Sequence, residues 1–441
     1  MAPVFRIALV LAIPAAIGVG ACQGGGGSGG TGGRAGAGDG GGGAGTPSSG
    51  SGGGAGSSTG GAGGRVDAGS SPDSSSGGSI TEAGAPDVGG GSDASDGRDG
   101  DGGGGPARSF VYVSGYGEPI TIFSLNTATG ALTRAGTAST SADGEPTSMG
   151  FSPDKKVLYA GDEQHYAPMG RVIAYAINHT TGALQEINRE GTRATITAHT
   201  SVHRSGKWLL AANYGTGDVT VFPLRADGGL SPAMTPVPAG GQAHYILFDE
   251  TGTFLFVPCL ASNYIAMYRF ADGVLTPNTP PTVLVPGGPR HIAFSPDERF
   301  AYVLTQLQST VVVLTHDKPN GRLTVLETVS SAPNGSISAH IAVHPSGKFV
   351  YASNRLDNSI SIFSVDAVTG RLTRVGQQRD RIAFPWWFDL DPAGQLLIVP
   401  NDPTGTVLVH RIDQNTGTLQ PLGMPVSVPM RPTYVGILSL P

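Results

Sequence analysis

Hydrophobic and polar positions along the last three quarters of this chain follow one recurring pattern. An alternating run such as ITIFSLN or RVIAYAIN ends in a polar turn, Gly-x-Leu follows, and a second alternating run begins. Apolar side chains at every second place mark a strand with one buried face. Gly-x-Leu occurs seven times, at Gly130, Gly182, Gly228, Gly273, Gly321, Gly370 and Gly417, with gaps of 52, 46, 45, 48, 49 and 47 residues. The turns before it read NTATG, NHTTG, RADG, FADG, DKPNG, DAVTG and DQNTG. These are hairpin turns, in which glycine supplies the positive φ.

A second motif lies between the first. FSPDKKVLYA, HRSGKWLLAA, DETGTFLFVP, SPDERFAYVL, HPSGKFVYAS and DPAGQLLIVP begin at residues 151, 203, 249, 295, 344 and 391. Each reads as a strand end, a tight turn and an apolar strand. The two motifs together give four strands per unit, and no helical periodicity of useful length interrupts them. The pattern predicts an all-β fold, a seven-bladed β-propeller with four antiparallel strands per blade. One unit is split. FVYVSG, ITIFSLN and LTRAG near residue 110 lack an inner strand, and PTYVGIL at 432–438 lacks companions. Pairing the two closes the ring and removes both open sheet edges.

The chain before this domain reads differently. Residues 7–19 form an apolar run too short to span a bilayer and suited to a signal-peptide core. The run ends in Val19-Gly20-Ala21-Cys22, which resembles a bacterial lipobox with Cys22 as the lipidation site. Residues 23–106 are nearly all Gly, Ser, Ala, Asp and Thr, so no core can form there. A flexible tether of that length spans on the order of 50 Å. The expected organisation is a lipoprotein signal peptide at 1–22, a linker at 23–106 and the propeller at 107–441. The expected location is the cell envelope, anchored to a bacterial membrane, the outer membrane by preference, or secreted. Of the two cysteines, Cys22 and Cys259, the second is expected to be a small buried core residue. A net charge of −6 and the lack of a basic run argue against a nucleic-acid partner. A monomer is expected.

Antiparallel pairing places the start of each inner strand and the end of each second strand on one face of the disc. Inner-strand starts supply Ala198-His199, His244-Tyr245, Arg290-His291, Ala339-His340, Trp386-Trp387 and Arg431. Second-strand ends supply Glu163-Gln164-His165, Asn213-Tyr214, Asn263-Tyr264, Thr305-Gln306, Asn354-Arg355 and Asn401-Asp402. Turn alignment puts His244, Arg290 and Trp386 in one register and His199, Tyr245, His291, His340 and Trp387 one residue later. Strand alternation then predicts that the two sets face opposite sides. His199, His291 and His340 recur at one repeat position, so each is expected to bond the backbone of a neighbouring blade. His244 and Arg290 break the repeat and are the better site candidates.

ANYGTGDVTVFPL, GQAHYILFDETGTFLFVP, GPRHIAFSPDERFAYVL and YASNRLDNSISIFSVDAVTGRLT resemble the seven-bladed lactonase family, over essentially all of 109–441. That family includes bacterial 6-phosphogluconolactonase and carboxymuconate-lactonizing enzyme. The resemblance implies a rim cluster: a histidine of an AH motif, the arginine of PRH, a glutamate of an NE pair and the arginine of SNR. On this chain it points to His244, Arg290 and Arg355 as catalytic groups, with Gln306 where the family carries glutamate. Guanidiniums clamp a carboxylate or phosphate, and histidine moves protons near neutrality. Gln306 can orient water or substrate but cannot transfer a proton. His199, His340, Trp386 and Asn354 are expected to contact substrate, Trp386 by stacking on a sugar. The implied activity is hydrolysis of a lactone or sugar-derived substrate with no cofactor. An exported protein rarely meets a phosphorylated sugar lactone of the cell interior, so a different lactone is expected. Two other readings stand beside it. Loss of the glutamate motivates a catalytically drifted envelope-binding module. A rim metal held by His199, His340 or His165 lacks any H-x-H or H-x-x-x-H spacing to support it.

Overall fold

In the computed structural model the described residues are 108–440, apart from 118, 141–143, 164–168 and 430. The expected signal peptide, Cys22 and linker lie outside them, as do Gln164 and His165. The described residues form seven sheets of four antiparallel strands each. Blades 1 to 6 cover 146–191, 197–238, 247–284, 289–330, 338–378 and 389–427 in chain order. Blade 7 joins the C-terminal strand Pro432–Leu440 to Arg108–Gly115, Ile120–Asn126 and Ala131–Ala138. Register there runs antiparallel from Arg108↔Leu440 to Ser114↔Tyr434. The split unit therefore closes the ring.

Burial grades outward for a simple reason. The second strand of a blade is sandwiched by neighbouring blades on both faces, so it is buried throughout rather than on alternate positions. Phe300–Thr305, Phe349–Asn354 and Leu396–Asn401 are buried at every position. Outer strands such as Ala131–Ala138 alternate and are largely exposed. Their ladders carry bulges, for example between Ile122 and Phe123 and between Ile362 and Phe363. A bulge twists an edge away from further pairing.

Two inner strands are shorter than the rest. The regular ladder is Leu247–Phe248 in blade 3, with an isolated bridge Ala243↔Cys259 above it, and Asp389–Leu390 in blade 6. Their upper halves, which carry His244 and Trp386, lie outside the regular ladder. One expected register is corrected. Asn263-Tyr264 is not the end of the second strand of blade 3; that strand is Phe254–Cys259 and ends in Cys259-Leu260. The motif was hidden because a thiol stands where three other blades carry asparagine. Cys259 is fully buried, bonds the Val257 carbonyl, and burial pushes its thiol up to about 12.

Candidate functional site

One residue follows the end of every second strand on the same face of the ring. In blade order from blade 1 these are Glu163, Tyr214, Leu260, Gln306, Arg355, Asp402 and, in blade 7, Tyr116. Backbone bonds from Glu163 N to Glu145 O, Tyr214 N to Ile196 O and Gln306 N to Gly288 O hold the positions alike. The side chains are free to differ.

The start of the inner strand adds a second tier. In blade 4 the pairing jumps from Pro289↔Thr305 to His291↔Leu304, so Arg290 is the extra residue of a β-bulge. Blades 1 and 2 bulge at the equivalent place, and blade 5 is irregular there. A bulge breaks the parity of strand alternation. Arg290 and His291 therefore do not face opposite sides as expected: Arg290 Nη1 lies 2.9 Å from His291 Nε2 and also donates to the Ala339 carbonyl of blade 5.

His199, Tyr245, His291, His340, Trp387 and Tyr434 form a plug of packed rings beneath this tier. Ring centroids are 3.8 Å apart for His199–Tyr245, 4.6 Å for Tyr245–His291, 3.7 Å for His340–Trp387 and 4.5 Å for Trp387–Tyr434. His199 accepts from the Ile246 backbone N–H of the neighbouring blade, as expected. His291 and His340 instead bond each other, Nδ1 to Nδ1 at 2.9 Å. Arg290 must donate to His291 Nε2, so His291 carries its proton on Nδ1 and gives it to His340 Nδ1. Both rings are thereby neutral, and their tautomers are set. Burial, and after it the Arg290 charge, holds His291 and His340 well below the ordinary histidine range and His199 at about 3. No group of three metal-ligating side chains gathers among the described residues; His291 and His340 spend their Nδ1 atoms on each other, and His165 lies outside that set.

Above the plug the expected residues converge. His244 meets Tyr214 at 5.5 Å and His291 at 5.3 Å, ring to ring. Arg355 lies 4.0 Å over the Trp386 ring, and Arg290 lies 5.8 Å from the same ring. Arg355 donates to Ile337 O and, at 2.8 Å, to Gln306 Oε1. Trp386 Nε1 donates to Asp402, which also pairs with Arg431, and Arg431 covers the Tyr116 ring. Tyr116 is hydrogen-bonded to the Glu163 side chain, and the Glu163 charge acts on Arg290 and Tyr214. The two site guanidiniums are 6% and 5% exposed for Arg290 and Arg355. Burial pulls Arg290 down to about 10 and Arg355 well below its usual value, with Arg290 as the second cause. Burial and the Arg290 charge also keep His244 well below the histidine range, hence neutral at pH 7. Two polar atoms of this wall are buried without a partner, Arg290 Nε and His244 Nδ1.

The expected substrate contacts fare unequally. His244, Arg290, Gln306, Arg355 and Trp386 come together in one cluster. Asn354 does not join it: the side chain is fully buried, and its amide is spent on Ser331, Ser338, Ser359 and Ser361. Position next to Arg355 had suggested a role that strand parity denies. His199 and His340 are buried in the plug one tier below. Arg355 covers a face of Trp386, which leaves less of the indole for a sugar. Sequence reasoning passed over Glu163 and Tyr116 as site groups. The signal was present, since both sit at the repeat position of Gln306 and Arg355.

A family model described as Lactonase, 7-bladed beta-propeller matches residues 110–436. The chain is 31% identical to 6-phosphogluconolactonase of Bacillus subtilis over 335 residues, covering 72% of this chain and 94% of that protein. It is 32% identical to 6-phosphogluconolactonase of Pectobacterium carotovorum, over 67% of this chain and 89% of the relative. Among solved structures, the periplasmic gluconolactonase of Pseudomonas aeruginosa superposes with a TM-score of 0.70 at 28% identity, over 76% of this chain and all of that one.

Proposed function

The chain belongs to the lactonase family of seven-bladed β-propellers, and from that premise we propose that it hydrolyses a lactone in the rim pocket bounded by His244, Arg290 and Arg355. The observation that carries this reading is Arg290. Its guanidinium is buried, yet Nε has no partner. A buried donor left unsatisfied costs about 1–3 kcal/mol. An oxyanion entering the pocket would relieve that cost, and the tetrahedral intermediate of lactone opening carries one. Water attacks the carbonyl carbon, the ring C–O bond breaks, one proton leaves the water and one reaches the ring oxygen. The new carboxylic acid releases its remaining proton to solvent, and the product carboxylate lies opposite the two guanidiniums. The reaction so drawn uses side chains of the pocket and needs no cofactor.

The substrate we propose is an unphosphorylated sugar lactone met outside the cytoplasm by a monomeric, lipid-anchored protein. The signal-like run before Cys22 and the long tether support this, as does similarity to a gluconolactonase described as periplasmic. The test is a panel of aldonolactones, 6-phosphogluconolactone and acyl lactones, with spontaneous opening subtracted. Turnover of an aldonolactone that exceeds turnover of the phosphorylated one is expected. A panel that stays at the spontaneous rate would overturn the reading. Gln306 favours a second one, a drifted binding module. That reading gains if wild type is inert and Gln306→Glu restores turnover.

A further inference from the structure

We propose that Glu163 is the general base of the rim pocket, held by Tyr116, and that it performs the proton transfer Gln306 cannot. The proposal rests on the lactonase reading and deepens it. Three observations carry it. Glu163 occupies the repeat position of Gln306 and Arg355, so the ring brings it to the same mouth from the far side. Its side chain is hydrogen-bonded to Tyr116, and its charge reaches Arg290 and Tyr214. The competing base is weak: His244 is neutral at pH 7, and burial and Arg290 make its conjugate acid too acidic to retain a proton well. Gln306 is engaged through Oε1 with Arg355.

The step balances within the pocket. The Glu163 carboxylate takes a proton from water as the water oxygen bonds to the lactone carbonyl carbon. The oxyanion that forms faces Arg290 and Arg355. Collapse breaks the ring C–O bond, and protonated Glu163 returns its proton to the departing ring oxygen. The Glu163 carboxylate is regenerated, the water is consumed into the new carboxyl group, and one hydroxy acid leaves. Tyr116 is a positioning residue: its hydroxyl fixes the carboxylate, while Arg431 covers its ring from one side. Among the described residues, the charged and titratable groups around Glu163 include Tyr116, Tyr214 and Arg290, with Arg431 and Arg355 acting on Tyr116, and Glu145 and Asp162 flank it along the backbone.

The experiment compares the purified wild-type protein with Glu163→Gln, Tyr116→Phe and Arg290→Lys on the best aldonolactone. Loss of a general base costs roughly 10²–10⁴-fold in kcat. Glu163→Gln should show that loss with Tm unchanged, because glutamine keeps an acceptor for Tyr116. It should also abolish the fall of kcat/KM on the acid side that a carboxylate base imposes. Tyr116→Phe should displace that acid limb rather than remove it. The double change Glu163→Gln with Gln306→Glu should recover part of the rate. Glu163→Gln at the wild-type rate, or slow with the acid limb intact, overturns the proposal while Arg290→Lys still reports on the lactonase reading. Wild type at the spontaneous rate overturns both.

Discussion

The two faces of the propeller are built on opposite rules. On the face that carries the hairpins, one contact recurs in four of the seven blades. Tyr112, Tyr159, Tyr302 and Tyr351 each donate to the hairpin glycine carbonyl of the next blade, at Gly182, Gly228, Gly370 and Gly417, over 2.8–3.1 Å. The glycines are packed as uniformly: a Cβ on Gly370 would come 2.3 Å from Phe300, and on Gly417 2.5 Å from Phe349. On the opposite face the ring after the second strands runs Glu, Tyr, Leu, Gln, Arg, Asp, Tyr. Closing a ring needs the same fit at each seam. A pocket needs different groups to converge on one point. Repetition thus marks scaffold and variation marks site, within a single fold.

That contrast can be broken most sharply at Arg290. Arg290→Lys keeps a charge but loses the planar fork. Removal of an oxyanion donor costs about 10²–10³-fold in rate, so kcat/KM on an aldonolactone should fall by that order with little change in Tm. Gly370→Ala should do the reverse. Its φ of +71° suits glycine, and the new Cβ meets the Phe300 ring. Strained backbone and an overpacked contact together should cost about 2–4 kcal/mol in urea unfolding, with kcat of the folded protein unchanged. If Gly370→Ala slowed turnover, or Arg290→Lys chiefly unfolded the protein, the division between faces would fail.

The plug between the faces titrates in two directions. His199, His291 and His340 have folded pKa values below the 6.5 of the unfolded chain. The unfolded state binds their protons more readily, so their contribution is intact above pH 6.5 and is lost as pH falls below it. Asp389, an inner-strand carboxylate that accepts from Ile437 N of the closing strand, is pushed the other way by burial, from 3.8 to about 7. There the folded state holds the proton more tightly, and stability declines as pH rises from about 4 to about 7. Asp389→Asn should flatten that decline in a Tm-against-pH series. A steeper acid-side loss should remain, because the three histidines are untouched.

Most of the scaffold was legible because it repeats. The hairpin glycines, the second-strand motif and the orphan strand PTYVGIL named the blade number and the closure. His244 and Arg290 stood out for the converse reason, as departures from a repeat, whereas Gln306 and Arg355 were singled out by the family resemblance. What escaped was local geometry without a residue signature. The extra residue of the bulge is Thr147, Ala198 or Arg290 depending on the blade, so no side chain type announces it. Alternation was therefore counted through it, and Arg290 was assigned to the wrong side from His291. In blade 3, Cys259 in place of asparagine hid the strand end, and Asn263 was aligned instead. Asn263 serves the loop before blade 4, accepting from Gly287 and Gly288 N–H. Glu163 and Tyr116 lie on blades 1 and 7, remote in sequence from Arg290, and only the closed ring brings them near it.

The smallest expected effect is also the finest test of repetition as a structural rule. Tyr351→Phe removes one hydroxyl from the seam and leaves the ring in place. The lost bond to Gly417 O should cost about 1 kcal/mol, somewhat more because a carbonyl is left buried. Blade 3 has Phe256 at the tyrosine position, yet its seam is not open. Asn278 Nδ2, from the outer strand of that blade, donates to the hairpin carbonyls of Asn320 and Gly321, each at 2.8 Å. At these five seams what recurs is satisfaction of the glycine carbonyl and not tyrosine as such; blades 2 and 6 carry Leu210 and Ile398 at the tyrosine position. Asn278→Ala should cost at least as much as Tyr351→Phe in urea unfolding, although one change lies on an outer strand and the other on a second strand. A negligible cost for Asn278→Ala beside a clear one for Tyr351→Phe would show that the aromatic packing, and not the hydrogen bond, is what the seam repeats.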